Sequence, residues 1–526
     1  MTIAENDVLG GAPPPVLIVG AGPTGLILAL WLTRFGVPVR IIDRAAQPGT
    51  TSRALAVQAR TLELYRQIGI ADDVIAGGVK VPALNLWVSG KPRARIHIDA
   101  IGEGLSPFAF ALVYPQDAHE KMLIEHLERA GVRVERETEL VHLEQHAGGV
   151  RAALRTKGRE EVFETSYVAG CDGASSMVRH QLGIEFLGGT YQGYFYVADV
   201  HASSPLANDE LHIDIEDVDF LLVFPLKGAG NLRMVGLVHE HEKPDRQVTF
   251  DDVKGRAVDR MQLGAAQVNW FSTYRVHHRV APRFREGRAF LLGDAAHVHS
   301  PVGGQGMNTG IGDAINLAWK LAAVLKGEAG AAILDTYEPE RIAFARRLVE
   351  TTDRGFTIVT RQGRLARLVR TRLVPAIAPA VFRIPAMRRL FFRTVSQINV
   401  SYHDSALSEG KTGAISAGDR LPWIKFSNGS DNFAPLTSLR WQVHVYGRAR
   451  NDLTAACSAL RIALYEFEWS AAARVAGVRD GALYLIRPDG YIGLADANAD
   501  VSRLRDYSNR LRDRESHAPR HTDSRR

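Results

Sequence analysis

Hydrophobic and polar residues alternate along this chain in blocks that predict a mixed α/β protein. The first block is a wholly apolar run, Val16–Val19, which is typical of a strand buried on both faces in a parallel sheet. A glycine turn and an apolar helix of about residues 24–35 follow, and a second short strand, Val39–Ile42, comes after Gly36. This strand–helix–strand order predicts a βαβ unit.

The later blocks change character several times, and each change predicts another part of the fold. Residues 81–104 alternate between apolar and polar, which predicts antiparallel strands. Residues 191–280 again predict strands, of which Phe220–Leu226 is the clearest. Residues 287–326 predict a strand, a turn and a long helix, and residues 333–400 predict helices that prolines interrupt.

Glycines and a proline near residues 405–420 separate a β-rich segment from the rest of the chain. We expect a lead-in and a basic tail that are both disordered, a discontinuous nucleotide-binding domain, an inserted β-sheet domain and a small C-terminal domain. The expected bounds are 1–13 for the lead-in; 14–80, 105–190 and 276–400 for the nucleotide-binding domain; 81–104 and 191–275 for the β-sheet domain; 412–505 for the C-terminal domain; and 509–526 for the tail.

Composition places the chain among ordinary globular proteins and excludes some functions. The 526 residues suggest roughly two to four domains, and 46% of them are hydrophobic. The net charge of +6 is not gathered into one stripe, since much of it lies in residues 361–393 and 503–526, so we expect no nucleic-acid binding. The arginine-rich helices of 361–393 could lie on a membrane, but we expect them to pack on the nucleotide-binding domain.

Cysteine usage and targeting signals favour a cytoplasmic protein. Cys171 and Cys457 are too few for a disulfide framework or a cysteine zinc site. The N-terminus lacks the basic and apolar regions of a signal peptide, and no apolar stretch reaches the ~18 residues that span a bilayer. His297 and His299 have the spacing of a metal pair, but we expect no metal because no acid or cysteine cluster accompanies them.

Residues 20–25 carry the first sign of a cofactor, a complete GxGxxG between a strand and a helix. Gly20 allows a tight turn, Gly22 lets the backbone approach a pyrophosphate, and Gly25 lets helix and strand pack closely. The helix start offers N–H groups and a positive dipole end to the phosphates. Asp43 ends the second strand, where its carboxylate can accept hydrogen bonds from a ribose. The motif predicts a dinucleotide but does not separate FAD from NAD.

Residues 287–313 carry a second sign, which favours FAD. An apolar strand, Ala289–Leu292, leads to Asp294, and the glycine-rich stretch Gly303–Asn308 opens a long helix from about Thr309. A carboxylate at a strand end can bind a polyol, and a glycine-rich helix start can face a negatively charged ring edge. Reduced flavin carries such charge on its pyrimidine side, so FAD suits this half of the site better than NAD.

With a third motif, Tyr167–Arg179, these segments resemble the group A flavoprotein monooxygenases, such as para-hydroxybenzoate hydroxylase and phenol hydroxylase. The resemblance covers roughly residues 14–400. Arg487–Tyr491, with the sequence RPDGY, is similar to the branch with an extra C-terminal domain, which includes pentachlorophenol hydroxylase and aromatic polyketide hydroxylases. The resemblance implies a Rossmann-type FAD-binding domain, an inserted β-sheet substrate domain, and a thioredoxin-like α/β domain without a CxxC pair.

The resemblance also implies roles for single residues. Arg44 would lie at the adenine, Arg53 near the pyrophosphate, and Gln116 and Asp294 at the ribityl chain. Pro301, Gly303, Gly304 and Gly306 would form a loop at the reactive edge of the flavin. Asp172 and Arg179 belong to a motif linked to FAD and nicotinamide binding, and a structural ion pair between them is the alternative. The implied cofactor residues are Gly20, Gly22, Pro23, Thr24, Gly25, Asp43, Arg44, Arg53, Gln116, Asp172, Arg179, Asp294, Pro301, Gly304, Gly306, Met307 and Asn308.

The activity that the resemblance implies is hydroxylation of a phenolic or polyketide aromatic substrate. NADPH or NADH reduces FAD, O2 adds to give a flavin hydroperoxide, and one oxygen atom passes to the substrate while the other becomes water. We assign no catalytic acid or base. An apolar wall for the substrate is expected at Leu222, Phe224, Pro225 and Met234, although Phe224 could equally be a core residue.

Two other functions stay open on the sequence alone. One is a Baeyer–Villiger oxygenase that acts on a polyketide. The other is a non-catalytic FAD-binding redox or interaction protein, against which the intact Gly303–Asn308 loop argues, because a mere binder needs no such loop at the ring edge. The tryptophan-rich WxWxIP element of flavin halogenases does not occur. We expect a monomer or a homodimer.

Overall fold

The computed structural model describes residues 14–49, 54–216, 220–238, 248–264, 266–300, 303–360 and 363–513. The strands are β1 Val16–Val19, β2 Val39–Ile42, β3 Ala56–Val57, β4 Val79–Val81, β5 Ala83–Val88, β6 Lys91–His97, β7 Ala111–Val113, β8 Val134–Glu135, β9 Thr138–His146, β10 Gly149–Thr156, β11 Arg159–Thr165, β12 Val168–Gly170, β13 Leu187–Ala202, β14 Leu211–Ile215, β15 Phe220–Pro225, β16 Asn231–Val238, β17 Ala266–Val280, β18 Arg285–Glu286, β19 Ala289–Leu291, β20 His297–Val298, β21 Lys411–Thr412, β22 Ile415–Ser416, β23 Gln442–Tyr446, β24 Ala463–Phe467, β25 Leu483–Ile486 and β26 Ile492–Asp496.

Helices of several lengths connect and cover these strands. The α-helices are α1 Pro23–Arg34, α2 Ala59–Gln67, α3 Ala71–Gly77, α4 Gln116–Arg129, α5 Met177–Gln181, α6 Phe250–Lys254, α7 Gly306–Leu325, α8 Tyr337–Thr360, α9 Arg364–Leu368, α10 Val374–Val381, α11 Pro385–Val395, α12 Asn451–Leu460, α13 Ala471–Val475 and α14 Val501–Arg512. Single turns of 3-10 helix lie at Gly293–Ala295, Ala331–Thr336 and Ala434–Ser438, and π-helical turns lie at Gly255–Asp259 and Val369–Leu373.

A six-stranded sheet in the order β18-β19-β12-β1-β2-β8 forms the nucleotide-binding core. The predicted βαβ unit is present, since β1 and β2 pair in parallel with Val16 opposite Val39. Every residue of β1 is buried, which explains its unbroken apolar sequence. Helix α1 is buried from Gly25 to Leu32 because the sheet lies on one side of it and α7 and α4 on another.

A mixed eight-stranded sheet, β20-β17-β13-β16-β15-β14-β5-β6, stands beside this core. The two segments that were predicted to form one β-sheet domain meet where β14 pairs in parallel with β5. Strand β20 follows the nucleotide-binding segment and pairs with the far edge of the same sheet. The sheet is therefore joined at that edge to the chain that leads into the glycine-rich loop.

The C-terminal segment forms its own four-stranded sheet, β24-β23-β25-β26. Strands β23 and β24 are parallel, and β25 and β26 continue the sheet antiparallel. Helix α14 continues to Arg512, so residues 509–512 are helical and not part of a disordered tail as predicted. The predicted lead-in, 1–13, and the rest of the predicted tail, 514–526, lie outside the described residues.

Buried ion pairs fasten the C-terminal sheet to the nucleotide-binding core. Arg487 donates to both carboxylate oxygens of Glu340 on α8, at 2.8 and 2.9 Å, and Lys320 of α7 donates to the same carboxylate at 2.8 Å. Arg420 forms a bidentate pair with Glu63 of α2. Buried charges are tolerated only when each is paired, so this junction has one specific geometry.

Candidate flavin site

The turn between β1 and α1 packs tightly around two glycines and leaves open space above a third. Gly20 has a φ of +103°, and a Cβ added there would lie 2.6 Å from the carbonyl carbon of Cys171. A Cβ on Gly25 would overlap the carbonyl of Gly20. Within the part of the chain that the structure describes, no atom lies within 4 Å of a Cβ added to Gly22, and no side chain caps the helix that begins beside it. An uncapped helix start that faces open space fits a pyrophosphate.

The carboxylate of Asp43 fixes this turn from the neighbouring strand. Its Oδ2 accepts from the Ala21 N–H at 2.7 Å, and its Oδ1 accepts from the Ala45 N–H at 2.8 Å. An ionised carboxylate has about four acceptor positions, so capacity remains for a ribose hydroxyl. Arg44 is exposed beside it. Asp43 therefore has a structural task in addition to the ribose contact that the motif predicts.

Asp294 lies just beyond the carboxyl end of β19, in the turn Gly293–Ala295. It is exposed, while Gly293 and Ala295 on either side of it are buried. A carboxylate that reaches the surface from a buried turn at the end of a parallel strand is placed to accept hydrogen bonds from a polyol. This geometry fits the ribityl chain of FAD.

The two glycine-rich segments meet directly. A Cβ added to Gly293 would lie 2.7 Å from Oγ1 of Thr24, and one added to Gly310 would overlap the same oxygen. The start of α1 and the first turns of α7 are therefore in contact through positions that tolerate no side chain. Gly293 and Gly310 were not among the predicted site residues, because their role depends on packing between segments distant in sequence.

The loop before α7 is held by side chains from the segment after β3. Gly303 and Gly304 both have positive φ angles, of +80° and +62°. Gln58 donates to the carbonyl of Gly303 at 3.1 Å. The helix begins at Gly306, earlier than predicted, so its first N–H groups lie inside the glycine-rich stretch. Met307 is half-buried, and Pro301 lies outside the described residues.

The side chain of Asn308 binds the loop and the segment around β3. Its amide donates to the carbonyls of Ala56 and Gly304 at 2.8 and 3.0 Å. Its Oδ1 accepts from the Gln58 N–H at 2.9 Å and from Thr61 Oγ1 at 2.7 Å. All donor and acceptor positions of the amide are thus occupied within the protein. Asn308 can contact a cofactor only through its backbone.

Asp172 and Arg179 each stabilise a different turn. Asp172 accepts from Ser176 Oγ and from the N–H groups at the start of α5, at 2.5 to 3.1 Å. Arg179 is buried and donates to the carbonyl of Ala295 at 2.9 Å and to that of Ala174 at 2.7 Å. Arg179 therefore supports the turn that presents Asp294, and its guanidinium is directed at backbone carbonyls, not at the Asp172 carboxylate.

Gln116 is the remaining predicted contact that the structure describes. Its backbone N–H donates to the carbonyl of Ala54 at 3.1 Å, and its side chain donates to Glu120 at 2.8 Å. It lies at the start of α4, which packs against α1. Arg53 lies outside the described residues.

A buried network of polar and charged side chains around Asp313, which the sequence analysis did not predict, supports the same site. Asp313 of α7 accepts from His297 Nε2 at 2.7 Å, from the Gly293 N–H at 3.0 Å and from Arg341 Nε at 2.6 Å. Burial raises the pKa of Asp313, but Arg341 and His297 outweigh burial and lower it overall. His297 is thus a structural partner of a carboxylate. Among the described residues, no cluster of three His, Cys, Asp or Glu could hold a metal.

His299, one residue beyond β20, is a further polar group that the sequence left without a role. Its Nδ1 donates to the carbonyl of Ser300 at 2.8 Å, so Nε2 is the unprotonated nitrogen. Nε2 is buried, has no hydrogen-bond partner within the described ranges, and would lie 3.6 Å from a Cβ at Gly306. Burial lowers the pKa of His299 to about 4. A neutral acceptor therefore sits next to the start of α7.

The predicted apolar wall divides between the two faces of the eight-stranded sheet. Leu222 and Phe224 pack with one face, together with Phe195 and Val235. Met234 pairs in register with Val223 and is completely buried on the opposite face with the residues around α6. Side chains alternate along a strand, so Met234 does not belong to the wall formed by Leu222 and Phe224. Pro225 is buried at the end of β15.

The site has the two halves that a flavin requires, which are an open pyrophosphate turn and a carboxylate with a glycine-rich helix start alongside. These features define a flavin-binding oxidoreductase with a Rossmann-type core. Residues 14–352 match the family described as FAD binding domain, and the chain belongs to this family. It is a flavin-dependent monooxygenase, and its resemblance to the group A enzymes is confirmed.

Curated relatives match along most of the chain. 6-Methylpretetramide 4-monooxygenase of Streptomyces rimosus is 34% identical, over 93% of this chain and 92% of the relative. Pentachlorophenol 4-monooxygenase of Sphingobium chlorophenolicum is 34% identical over 78% of this chain and 76% of its own length. A solved complex of aklavinone-11 hydroxylase with FAD and aklavinone superimposes with a TM-score of 0.75, at 25% identity, and covers 96% of this chain and 99% of that one.

Proposed function

We propose that this monooxygenase uses NADPH or NADH together with O2 to hydroxylate a ring carbon of an aromatic substrate, of the multi-ring polyketide class. The observation that carries the proposal is the junction between loop and sheet. Strand β20 forms the edge of the eight-stranded sheet, and only His299 and Ser300 separate it from the loop region before α7. A substrate held on this sheet would therefore lie beside the reactive edge of the flavin.

The division of tasks among the residues follows from their positions. Bound FAD would supply hydride acceptance and O2 activation, which no side chain can perform. The turn at Gly20–Gly25 would hold the pyrophosphate, and Asp294 would hold the ribityl hydroxyls. The N–H groups at the start of α7 would face the ring edge. Leu222, Phe224 and Pro225 would contribute to an apolar wall that keeps water away, which matters because water in the site diverts reduced oxygen to H2O2.

His299 is our candidate for the group that accepts a hydrogen bond from a substrate hydroxyl. It is neutral above its low pKa, its Nε2 is unprotonated, and it lies near Gly306. A hydrogen bond from an aromatic hydroxyl to a neutral acceptor raises the electron density of the ring, and this favours attack by the ring on electrophilic oxygen. The net contribution of one such hydrogen bond is about 0.5–1.5 kcal/mol.

The names of three relatives support the proposed class of substrate, which is aromatic. Those relatives are named for a pretetramide, for aklavinone and for pentachlorophenol, and two of them align with more than nine-tenths of the present chain. The face of the sheet that carries Leu222 and Phe224 is rich in aromatic side chains, such as Phe195, Trp270 and Tyr274. Such a surface stacks readily against fused rings.

We further propose a thioredoxin-like fold for the C-terminal domain. Its elements follow in the order β23, α12, β24, α13, β25, β26 and α14, and its strand order is β24-β23-β25-β26. One parallel pair extended by two antiparallel strands, with helices on both sides, is the arrangement that this fold requires. No cysteine pair is present, so the domain has no dithiol chemistry.

The test is a screen of aromatic ligands that follows NAD(P)H consumption and product mass under labelled O2. Hydroxylation predicts ligand-stimulated NAD(P)H consumption and one labelled atom on a ring carbon. Label between a carbonyl and its neighbouring carbon would establish the Baeyer–Villiger alternative. FAD-loaded protein that consumes no NAD(P)H with any ligand would instead favour a non-catalytic FAD-binding protein.

Asp294→Ala and Asp294→Asn probe the cofactor half of the proposal. Replacing the carboxylate by a methyl group should weaken FAD retention, because hydrogen bonds to a charged acceptor contribute about 1.5–3 kcal/mol each. The amide keeps an acceptor and should retain FAD better than the alanine variant. Full FAD occupancy in Asp294→Ala after extensive dialysis would show that the ribityl assignment is wrong.

A further inference from the structure

The helices between residues 363 and 395 present an apolar surface to the outside of the protein. Fifteen large hydrophobic side chains are exposed in the described part of the chain, and nine of them lie in this segment. We call the surface they form the outer apolar face. Its members are Leu365, Leu368, Leu373, Val374, Ile377, Ile384, Met387, Leu390 and Phe391.

The inner side of the same helices is firmly attached. Phe392 is buried, and its ring occupies the space where Gly102 would carry a side chain. Arg388 donates to the carbonyl of Ala100 at 3.1 Å, and α10 packs against β6. Gln305, in the loop before α7, donates to the carbonyl of Val395 at 2.8 Å. These contacts attach the helices through the side that faces the rest of the described chain. Exposed apolar patches of this extent mark interaction surfaces.

The charged residues around the outer apolar face indicate which kind of partner it binds. Residues 363–395 contain no aspartate or glutamate. Six of their arginines are exposed among the apolar side chains, and β6 adds Lys91 and Arg93, which are also exposed. The six exposed arginines are Arg364, Arg367, Arg372, Arg383, Arg389 and Arg393.

We infer that the outer apolar face docks on the surface of an anionic lipid bilayer. Apolar side chains would enter the boundary between headgroups and acyl chains, and the arginines would contact lipid phosphates. A second copy of the chain is a poorer occupant, because a symmetric dimer would bring arginines of the two copies together. Binding would be peripheral, since no helix among the described residues is long and apolar enough to cross a membrane.

The experiment uses the full-length, FAD-loaded protein and sedimentation with lipid vesicles. Vesicles of phosphatidylglycerol and phosphatidylcholine should bind the protein at low salt, and vesicles of phosphatidylcholine alone should bind it far less. Raising the salt concentration should weaken binding, because salt screens the arginines. Each arginine neutralised near an anionic surface is expected to weaken partitioning roughly 5-fold, so Arg389→Gln with Arg393→Gln should weaken it roughly 30-fold.

A second pair of substitutions tests the apolar contribution. Leu365→Ser with Leu390→Ser should also reduce partitioning, while the salt dependence should stay that of the unaltered protein because all arginines remain. Matched controls lie elsewhere on the surface. Arg159→Gln keeps all arginines of the outer face, and Val162→Ser with Val475→Ser removes two exposed apolar side chains far from it in sequence. Both controls should bind vesicles as the unaltered protein does, and all variants should keep bound FAD.

Three results would overturn the inference. The first is no binding to phosphatidylglycerol vesicles at low salt. The second is equal binding by the unaltered protein and by the arginine and leucine variants. The third is binding to soluble polyglutamate as strong as to vesicles and unaffected by Leu365→Ser with Leu390→Ser, which would identify an acidic protein as the partner. Because vesicle binding needs no substrate or NAD(P)H, its outcome is independent of the hydroxylase proposal.

Discussion

Oγ1 of Thr24 lies so close to Gly293 that a Cβ on the glycine would stand 2.7 Å from it. Thr24 belongs to the first glycine motif and Gly293 precedes the carboxylate of the second, so this contact joins the two halves of the flavin site. The nearby Gly310 would also press on Thr24 if it carried a side chain. The absence of side chains at Gly293 and Gly310 therefore sets the distance between the pyrophosphate turn and the ribityl carboxylate.

Gly310→Ala should separate the two halves and weaken FAD binding. Overpacking of this kind costs about 1–3 kcal/mol. Removing the opposing oxygen in Thr24→Ala with Gly310→Ala should restore part of the affinity, measured by fluorescence titration of the apoprotein with FAD. If the double variant binds FAD as weakly as Gly310→Ala, the contact does not set the distance.

Gly22 and Gly20 should respond differently to the same substitution. Gly22 has ordinary extended geometry and open space around it, so Gly22→Ala should leave the apoprotein as stable as before while its Cβ enters the pyrophosphate space. Gly20→Ala should destabilise the fold itself, by about 1–3 kcal/mol, because of its positive φ and the nearby carbonyl of Cys171. Thermal unfolding of the apoproteins and FAD titration separate the two effects. Normal FAD affinity in Gly22→Ala would contradict our placement of the pyrophosphate.

The short apolar elements of the core were predictable because burial alone decides them. β1 and β2 have the predicted bounds. β1 is buried on both faces and consists of unbroken apolar residues, whereas β2 contains Arg40 and is buried only at Ile41 and Ile42. Helix α7 was predicted to start at Thr309 but starts at Gly306. Glycines indicate a turn in sequence, yet a helix tolerates them in its first turn, and here the Thr309 N–H closes that turn on the carbonyl of Gln305.

The parts of the site that escaped prediction depend on contacts across long sequence separations. The amide of Asn308 is bound by Gln58 and Thr61, about 250 residues earlier, and no local pattern indicates this. Met234 lies on the face opposite to Leu222 and Phe224, because strand register, which pairs it with Val223, is set by the connection between β15 and β16. The support of Gly293 by Asp313 likewise joins a turn to a helix that follows it.

The role of His299 can be tested with Asn and Gln, whose amide side chains each place a polar atom near one of the two ring nitrogens. Asn places its amide N–H near the position of Nδ1 and can keep the bond to Ser300, but it has no counterpart of Nε2. Gln can present an acceptor near the position of Nε2. We expect His299→Asn to lower kcat with a phenolic substrate by roughly 10-fold, the effect of one lost hydrogen bond, and His299→Gln to lower it less.

A purely structural role for His299 predicts another outcome. Both substitutions would then change the unfolding temperature and FAD affinity in parallel with the rate. Equal rates for the unaltered protein and His299→Asn, with a substrate that has an ionisable hydroxyl group, would exclude His299 as the acceptor of the substrate's hydrogen bond.

Two fully buried histidines make stability depend on pH. Burial lowers the pKa of His119 and that of His444 to about 3, below the value of about 6.5 expected in the unfolded chain. The folded-state pKa is the lower one, so at pH values between these two the unfolded state binds protons that the folded state does not. Stability is therefore fully present above about pH 6.5 and decreases as the pH falls towards 3. At pH 5 the loss is roughly 2 kcal/mol for each histidine.

Urea unfolding at pH 7.5 and pH 5 measures this loss. His119→Gln keeps a hydrogen-bonding group for Tyr65 but cannot be protonated, so this variant should lose less stability on acidification than the unaltered protein, by roughly 2 kcal/mol. His180→Gln, at an exposed position, is the matched control and should show the full loss. If His119→Gln and His180→Gln lose the same stability between pH 7.5 and pH 5, the imidazole of His119 is not what makes the folded state sensitive to acid. The sensitivity to acid would then have to come from His444 or from carboxylates such as Asp313, whose lowered pKa makes their contribution to stability disappear only at still lower pH.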